Sequence, residues 1–173
     1  MSASPIALAP IIVTAVFGAE DFAQLDRLRR QHFPPERNQV PAHATLFHHL
    51  APELGAELKQ RLMAATRGRP RPRATLAGLR NMGKGVAFRI ESPELGAIRA
   101  ELADAFATML TPQDRAGWRP HVTIQNKVAP GDARTLYEAL SATFVPRPLV
   151  IAGLASWWYR GGPWEPLSSH NFA

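Results

Sequence analysis

The tetrapeptide His43-Ala44-Thr45-Leu46 returns as His121-Val122-Thr123-Ile124, and the elements around the two copies follow one order. No other feature constrains the fold as strongly. Each half reads strand, helix, HxT strand, helix, strand, with Ile11 matching Val86, His43 matching His121, Pro52 matching Gly131 and Ala74 matching Val150. An internal duplication of this kind predicts two lobes, about 1–84 and 85–173, related by a pseudo-two-fold axis within one domain spanning 1–173. That pairing sets the two HxT strands across a shared cleft. The alternation of strands and helices points to an α/β or α+β class.

Hydrophobic spacing supplies the elements. A first strand is expected over 6–17, then a helix from Ala19 to Gln31 with Phe22, Leu25 and Leu28 inside and Asp26, Arg27, Arg29 and Arg30 outside. Phe33 to Asn38 is a loop, because adjacent prolines deny a helical continuation. The first motif strand covers Ala42 to His48. A helix from Pro52 to Thr66 presents Leu54, Leu58, Leu62 and Met63, and a strand runs from Ala74 to Leu79. In the second half come a strand from Val86 to Ile90 and a helix capped by Ser92 and Pro93. Its stripe of Leu95, Ile98, Leu102, Phe106 and Met109 reaches Leu110. Thr111 to Gly117 reads as a polar loop, His121 to Val128 as the second motif strand, Pro130 to Thr143 as a helix, and Leu149 to Tyr159 as a strand. A last extended piece lies around Trp164 to Leu167.

The 173 residues, 46% hydrophobic and 20% charged, suit one globular domain with a substantial core. The absence of cysteine excludes disulfides and thiolate metal sites. Residues 1–19 carry no charged side chain, yet a basic leader is missing, Pro5 and Pro10 interrupt the stretch, and no apolar run approaches the roughly 18 residues of a spanning helix. A buried strand in a cytoplasmic protein without membrane contact is expected. Of the net charge of +6, nine cations fall between Leu58 and Ile90 with no acid among them. Such a patch favours a polyanionic partner, although a solvated basic surface has the same composition.

The motifs carry the chemistry. Residues i and i+2 of a strand project from one face, so each HxT offers an imidazole beside a hydroxyl. Two imidazoles in different protonation states supply a base and an acid near neutral pH, as cleavage of a phosphodiester with an oxygen leaving group requires. Thr45 and Thr123 are then ligands for non-bridging phosphate oxygens. On a regular strand Thr123, Gln125 and Lys127 share the face of His121, which makes Lys127 either a rim cation or a solvated lysine at the strand end. Phe47 and His49 share the face of His43, which makes Phe47 a candidate for stacking on a base, or a core residue. Arg67, Arg69, Arg71 and Arg73 alternate and share a face in an extended segment, with Arg71 and Arg73 the candidate phosphate contacts. Trp118, Trp157, Trp158, Tyr159 and Trp164 read as core or lobe-interface residues before base platforms, and Trp118, just before the second motif, is the one to test against substrate. A metal on His43, His48 and His49 is not expected: His48 faces away from the other two, and no acid follows until Glu53. No cofactor is called for.

The paired motifs, each followed by an aliphatic residue in a duplicated chain of this size, resemble the two-histidine (2H) phosphoesterase superfamily, and most its bacterial RNA 2′,3′-cyclic phosphodiesterases, the 2′-5′ RNA ligase-like proteins. The resemblance spans nearly the whole chain and is specific at His43 to Leu46 and Pro120 to Ile124. It implies a bilobal α+β fold around a central cleft, metal-independent opening of 2′,3′-cyclic phosphates to 2′-phosphates, and reversible 2′-5′ joining in some members. His43 and His121 become the acid–base pair, with the first often assigned as acid and the second as base, and Thr45 and Thr123 the phosphate ligands. Partners are then RNA ends or nucleotide cyclic phosphates, acted on by a monomer. Many relatives carry a basic residue close behind the second motif, where this chain has Gln125-Asn126 before Lys127. The alternatives are an RNA-end or nucleotide-binding module without turnover, and an enzyme for another small cyclic phosphate or a 2′-5′ linkage.

Overall fold

Both motif strands lie at the ends of one path of strands, and the rest of the fold bends that path until its ends meet. The computed structural model describes residues 9–173, so residues 6–8 of the expected first strand lie outside the described residues. The elements are β1 (Ile11–Phe17), α1 (Ala19–His32), β2 (Ala44–Leu50), α2 (Gly55–Thr66), β3 (Arg73–Asn81) and β4 (Val86–Glu91). They continue with α3 (Pro93–Ala105), the single turn α4 (Pro112–Arg115), β5 (His121–Gln125), α5 (Pro130–Ser141), β6 (Arg147–Trp158) and β7 (Glu165–Asn171). The class is α+β, with every strand pair antiparallel.

The strand order is β2-β1-β6-β3-β4-β5, with β7 added to β6. Exchanging each strand for its counterpart in the other half, β1 with β4, β2 with β5 and β3 with β6, reverses this order and leaves it unchanged. The pseudo-two-fold axis therefore passes between β6 and β3. Each third strand pairs outside its own half, β3 with β4 and β6, and β6 with β1 and β3. The long β6 joins the two sheets: Arg147 to Val150 pair with β3, Ile151 to Trp158 with β1, and Gly153 to Trp158 also with β7.

Burial follows the periodicities in the sequence. Ile11, Val13 and Ala15 of β1 share one hydrophobic cluster with Leu25, Leu58 and Leu62, and Val86, Phe88 and Ile90 of β4 join it with Leu95, Ile98 and Leu102. The Ser92 hydroxyl accepts from the Leu95 N–H at 3.1 Å and donates to the Arg73 carbonyl at 2.7 Å, so the cap of α3 also fastens it to β3. Three expected core residues are exposed instead, Phe22, Met63 and Met109. Met109 is displaced because α3 ends at Ala105 and the chain tightens into a 3₁₀ turn at Ala107–Met109, which breaks the 3.6-residue spacing. The 111–117 segment, expected as a loop, holds α4, with Thr111 as its cap and Asp114 buried. No helix among the described residues is long and apolar enough to cross a membrane.

Candidate active site

The two HxT segments share a backbone irregularity that their sequences conceal. In β2, Thr45 pairs with Thr14 and Phe47 with Val13, so Leu46 is an extra residue; in β5, Thr123 pairs with Ala87 and Gln125 with Val86, so Ile124 is extra. A bulge therefore falls on the aliphatic residue of each motif. Before it, His43 and Thr45, like His121 and Thr123, face the cleft half-buried; after it, Phe47 and Gln125 turn into the interior. This corrects the alternation expected from a regular strand. Phe47 is fully buried, with the Arg99 guanidinium 4.6 Å above its ring, and is a core residue, not a base platform. β5 also stops at Gln125 and not at Val128. Lys127 leaves the strand in a left-handed turn, φ 62°, held by its N–H donating to Asn126 Oδ1.

Each imidazole is anchored alike. His43 Nδ1 lies 2.8 Å from the Pro41 carbonyl and His121 Nδ1 lies 2.8 Å from the Arg119 carbonyl, each two residues back. A carbonyl only accepts, so both Nδ1 atoms carry protons and both Nε2 atoms are left for chemistry. The Thr45 and Thr123 hydroxyls bond no other described residue. His43 also meets Trp164 edge-on, ring centroids 4.5 Å apart. Burial pushes its pKa down to about 4, the Pro41 carbonyl opposes this, and the charges of Arg29, His121 and His48 add to the fall. The two histidines are thus close enough to sense each other's charge.

The halves are stitched together at the motifs. Trp118 donates from Nε1 to the Thr45 carbonyl at 3.0 Å. Arg29 of α1 reaches across to the Thr123 carbonyl at 3.0 Å, while Arg99 of α3 reaches across to the Leu46 carbonyl at 3.1 Å. Each first helix of a half sends a buried arginine to the other half's motif strand. Arg29 was expected outside; it is 4% exposed, stacks on Phe33 and donates to Asn38. Burial lowers its pKa to about 10, with Asp26 opposing, so it remains a cation at neutral pH. Asp26, also expected outside, accepts the Ala42 N–H at 3.0 Å and fixes the backbone next to His43. Neither residue carried a signal in the sequence beyond its place on α1, because a long side chain at the edge of an apolar stripe snorkels as readily as it buries.

His43, Thr123, Arg29, Lys127 and Trp164 line a cavity of about 630 Å³, and Thr45, His121 and Trp118 line a smaller one of about 240 Å³ beside it. Lys127 lines the larger cavity from the turn after β5, and Trp118 lines the smaller one. Arg71 and Arg73 line neither cavity. Arg73 is tied to Glu94 at 2.9 Å, and Arg61, Arg69 and Arg89 of the basic stretch pair with Glu57, Glu101 and Glu91. Acids from outside the stretch thereby offset part of its charge. No group of three metal-ligating side chains occurs among the described residues, and His48 Nδ1 is engaged by Asp114.

Solved structures with this architecture include TT0787 of Thermus thermophilus, at TM-score 0.63, 16% identity, 94% of this chain and 97% of that one. Escherichia coli LigT complexed with 3′-AMP gives 0.59, 17%, 95% and 98%, and LigT complexed with NADP+ gives 0.56, 20%, 95% and 98%. No curated protein sequence matches. A profile of the 2′-5′ RNA ligase superfamily matches residues 17–163, which include both motifs, and the chain belongs to that superfamily.

Proposed function

We propose that this protein is a metal-independent phosphodiesterase that opens 2′,3′-cyclic phosphates of RNA ends or related nucleotides to 2′-phosphates. The observation that carries this reading is the matched pair of imidazoles, each with Nδ1 bound to a backbone carbonyl and Nε2 free, beside an unengaged threonine hydroxyl. LigT, which shares the fold, forms complexes with 3′-AMP and with NADP+, and nucleotide binding by this chain is part of the proposal.

In the free protein burial keeps His43 neutral, so its Nε2 lone pair is the base and His121 is the acid. This reverses the order that the family resemblance implies. Water attacks phosphorus as His43 Nε2 takes its proton; the bond from phosphorus to O3′ breaks and O3′ takes the proton from His121 Nε2. The product is a 2′-phosphate and a 3′-hydroxyl. Thr45 and Thr123 hydroxyls bond the non-bridging oxygens, and Arg29, fixed by its carbonyl, amide and ring partners, adds positive potential without reorganising.

Phosphorus NMR of the products from a nucleoside 2′,3′-cyclic phosphate in EDTA tests this. A single 2′-phosphomonoester is expected. A 3′-phosphate would overturn the leaving-group assignment, and unchanged substrate would overturn the activity.

A further inference from the structure

His48 follows the bulge of β2, and α4 gives it a partner that sequence separation hides. Asp114 is 1% exposed; its Oδ1 lies 3.2 Å from His48 Nδ1, and its two oxygens accept the backbone N–H groups of His48 and His49 at 2.9 and 3.0 Å. Burial pushes the Asp114 carboxyl up, but the bonds from the His48 ring and from both backbones outweigh this and hold it below its ordinary value. Asp114 is therefore an anion at neutral pH. Its oxygen accepts the proton of His48 Nδ1, which leaves Nε2 of this part-exposed ring to a ligand.

His48 lines the 240 Å³ cavity beside Thr45 and His121, together with Arg80 and Arg119. Neither arginine forms an ion pair with a carboxylate among the described residues. Arg99, the third guanidinium there, is engaged by the Leu46 and Asp114 carbonyls. Asp114 is the one acid in the lining and is saturated by the bonds above. Positive charge is thus in excess. The volume lies below the roughly 300–1,000 Å³ of pockets for drug-sized ligands and suits one charged group. Thr45 and His121, one residue from each motif, also line it, so a group held by His48, Arg80 and Arg119 borders the central site.

We propose that His48, held by Asp114, forms with Arg80 and Arg119 a second phosphate subsite, so that the preferred substrate carries another phosphate next to the nucleoside whose cyclic phosphate reacts. This rests on the reading of the central site as a phosphodiesterase. The second phosphate has two possible sources, a terminal 5′-phosphate or the internucleotide linkage of an RNA chain.

The test compares three substrates on the full chain: a nucleoside 2′,3′-cyclic phosphate, the same compound with a 5′-phosphate, and a dinucleotide ending in the cyclic phosphate. One charge-assisted contact set predicts a KM about tenfold lower for a substrate with the second phosphate. That ratio should fall toward unity in His48→Gln and Arg80→Ala. A gain with both longer substrates assigns the subsite to the phosphate group itself, and a gain with the dinucleotide alone assigns it to an RNA linkage. Equal KM for all three, or a ratio untouched by both variants, overturns the subsite while leaving the central reaction standing. Calorimetry with a nucleoside 3′-phosphate and its 5′,3′-bisphosphate separates the converse case. Tighter binding of the bisphosphate, lost in His48→Gln, in a protein that turns over no cyclic phosphate, upholds the subsite and overturns the catalytic reading.

Discussion

At the scale of single residues, the proposed roles in the site rest on the environment of His43. With its pKa at about 4, His43 is neutral across most of the usable range, as the proposed base must be. As base it must be deprotonated, so kcat/KM should fall as pH drops through about 4, where His43 takes up a proton. If His43 were the acid, the active form would gain population on acidification through that same value and activity would rise. A pH–rate profile on a cyclic mononucleotide distinguishes the two. The same shift is a stability statement. The unfolded imidazole, with a pKa near 6.5, takes a proton before the folded one does, so the native state loses stability as pH falls from about 6.5 to about 4. In His43→Gln the slope of unfolding free energy against pH over that window should flatten, the remainder belonging to His32 and His170, whose pKa values burial also lowers, and toward pH 4 to Glu94 and Asp114, whose carboxyls are held below their ordinary values. Denaturant titrations at several pH values measure it.

At the scale of elements, much was legible because the helices and strands obey their periods. The starts of α1, α3, α5 and β4 and the paired motifs follow from apolar spacing and caps. The bulges were not legible. A period-two reading has no term for an extra residue, so Phe47 was carried onto the cleft face and Lys127 onto the strand. Asp114 was hidden for another reason: it serves His48 and His49, far away in sequence, from a one-turn helix too short to show a pattern. The β4–β5 pairing that presents the second motif depends on Gly85, where a Cβ atom would run into the Gln125 carbonyl. Gly85→Ala should therefore destabilise the protein by about 1–3 kcal/mol and lower turnover more than nucleotide binding, since β5 must shift under His121. Chemical denaturation with parallel kcat and KM measurements checks this.

At the scale of the whole molecule, the exchange of third strands makes one folding unit of two like halves. Among the described strands β3 pairs only with β4 and β6 of the other half, β6 also pairs with β1, and Arg29, Arg99 and Trp118 cross between the halves, so the halves share one core. Tryptophan fluorescence and far-ultraviolet circular dichroism should therefore report one coincident unfolding transition; two separated transitions would contradict a shared core. The same topology brings the ends of the strand path together so that each half contributes one histidine. The most direct measurement is turnover of a nucleoside 2′,3′-cyclic phosphate in excess EDTA by the unaltered protein, His43→Ala and His121→Ala. A site assembled from both halves predicts a fall of about 10²- to 10⁴-fold in kcat for each single variant. Full activity in either variant, or activity that vanishes in the unaltered protein when metal is removed, would contradict it.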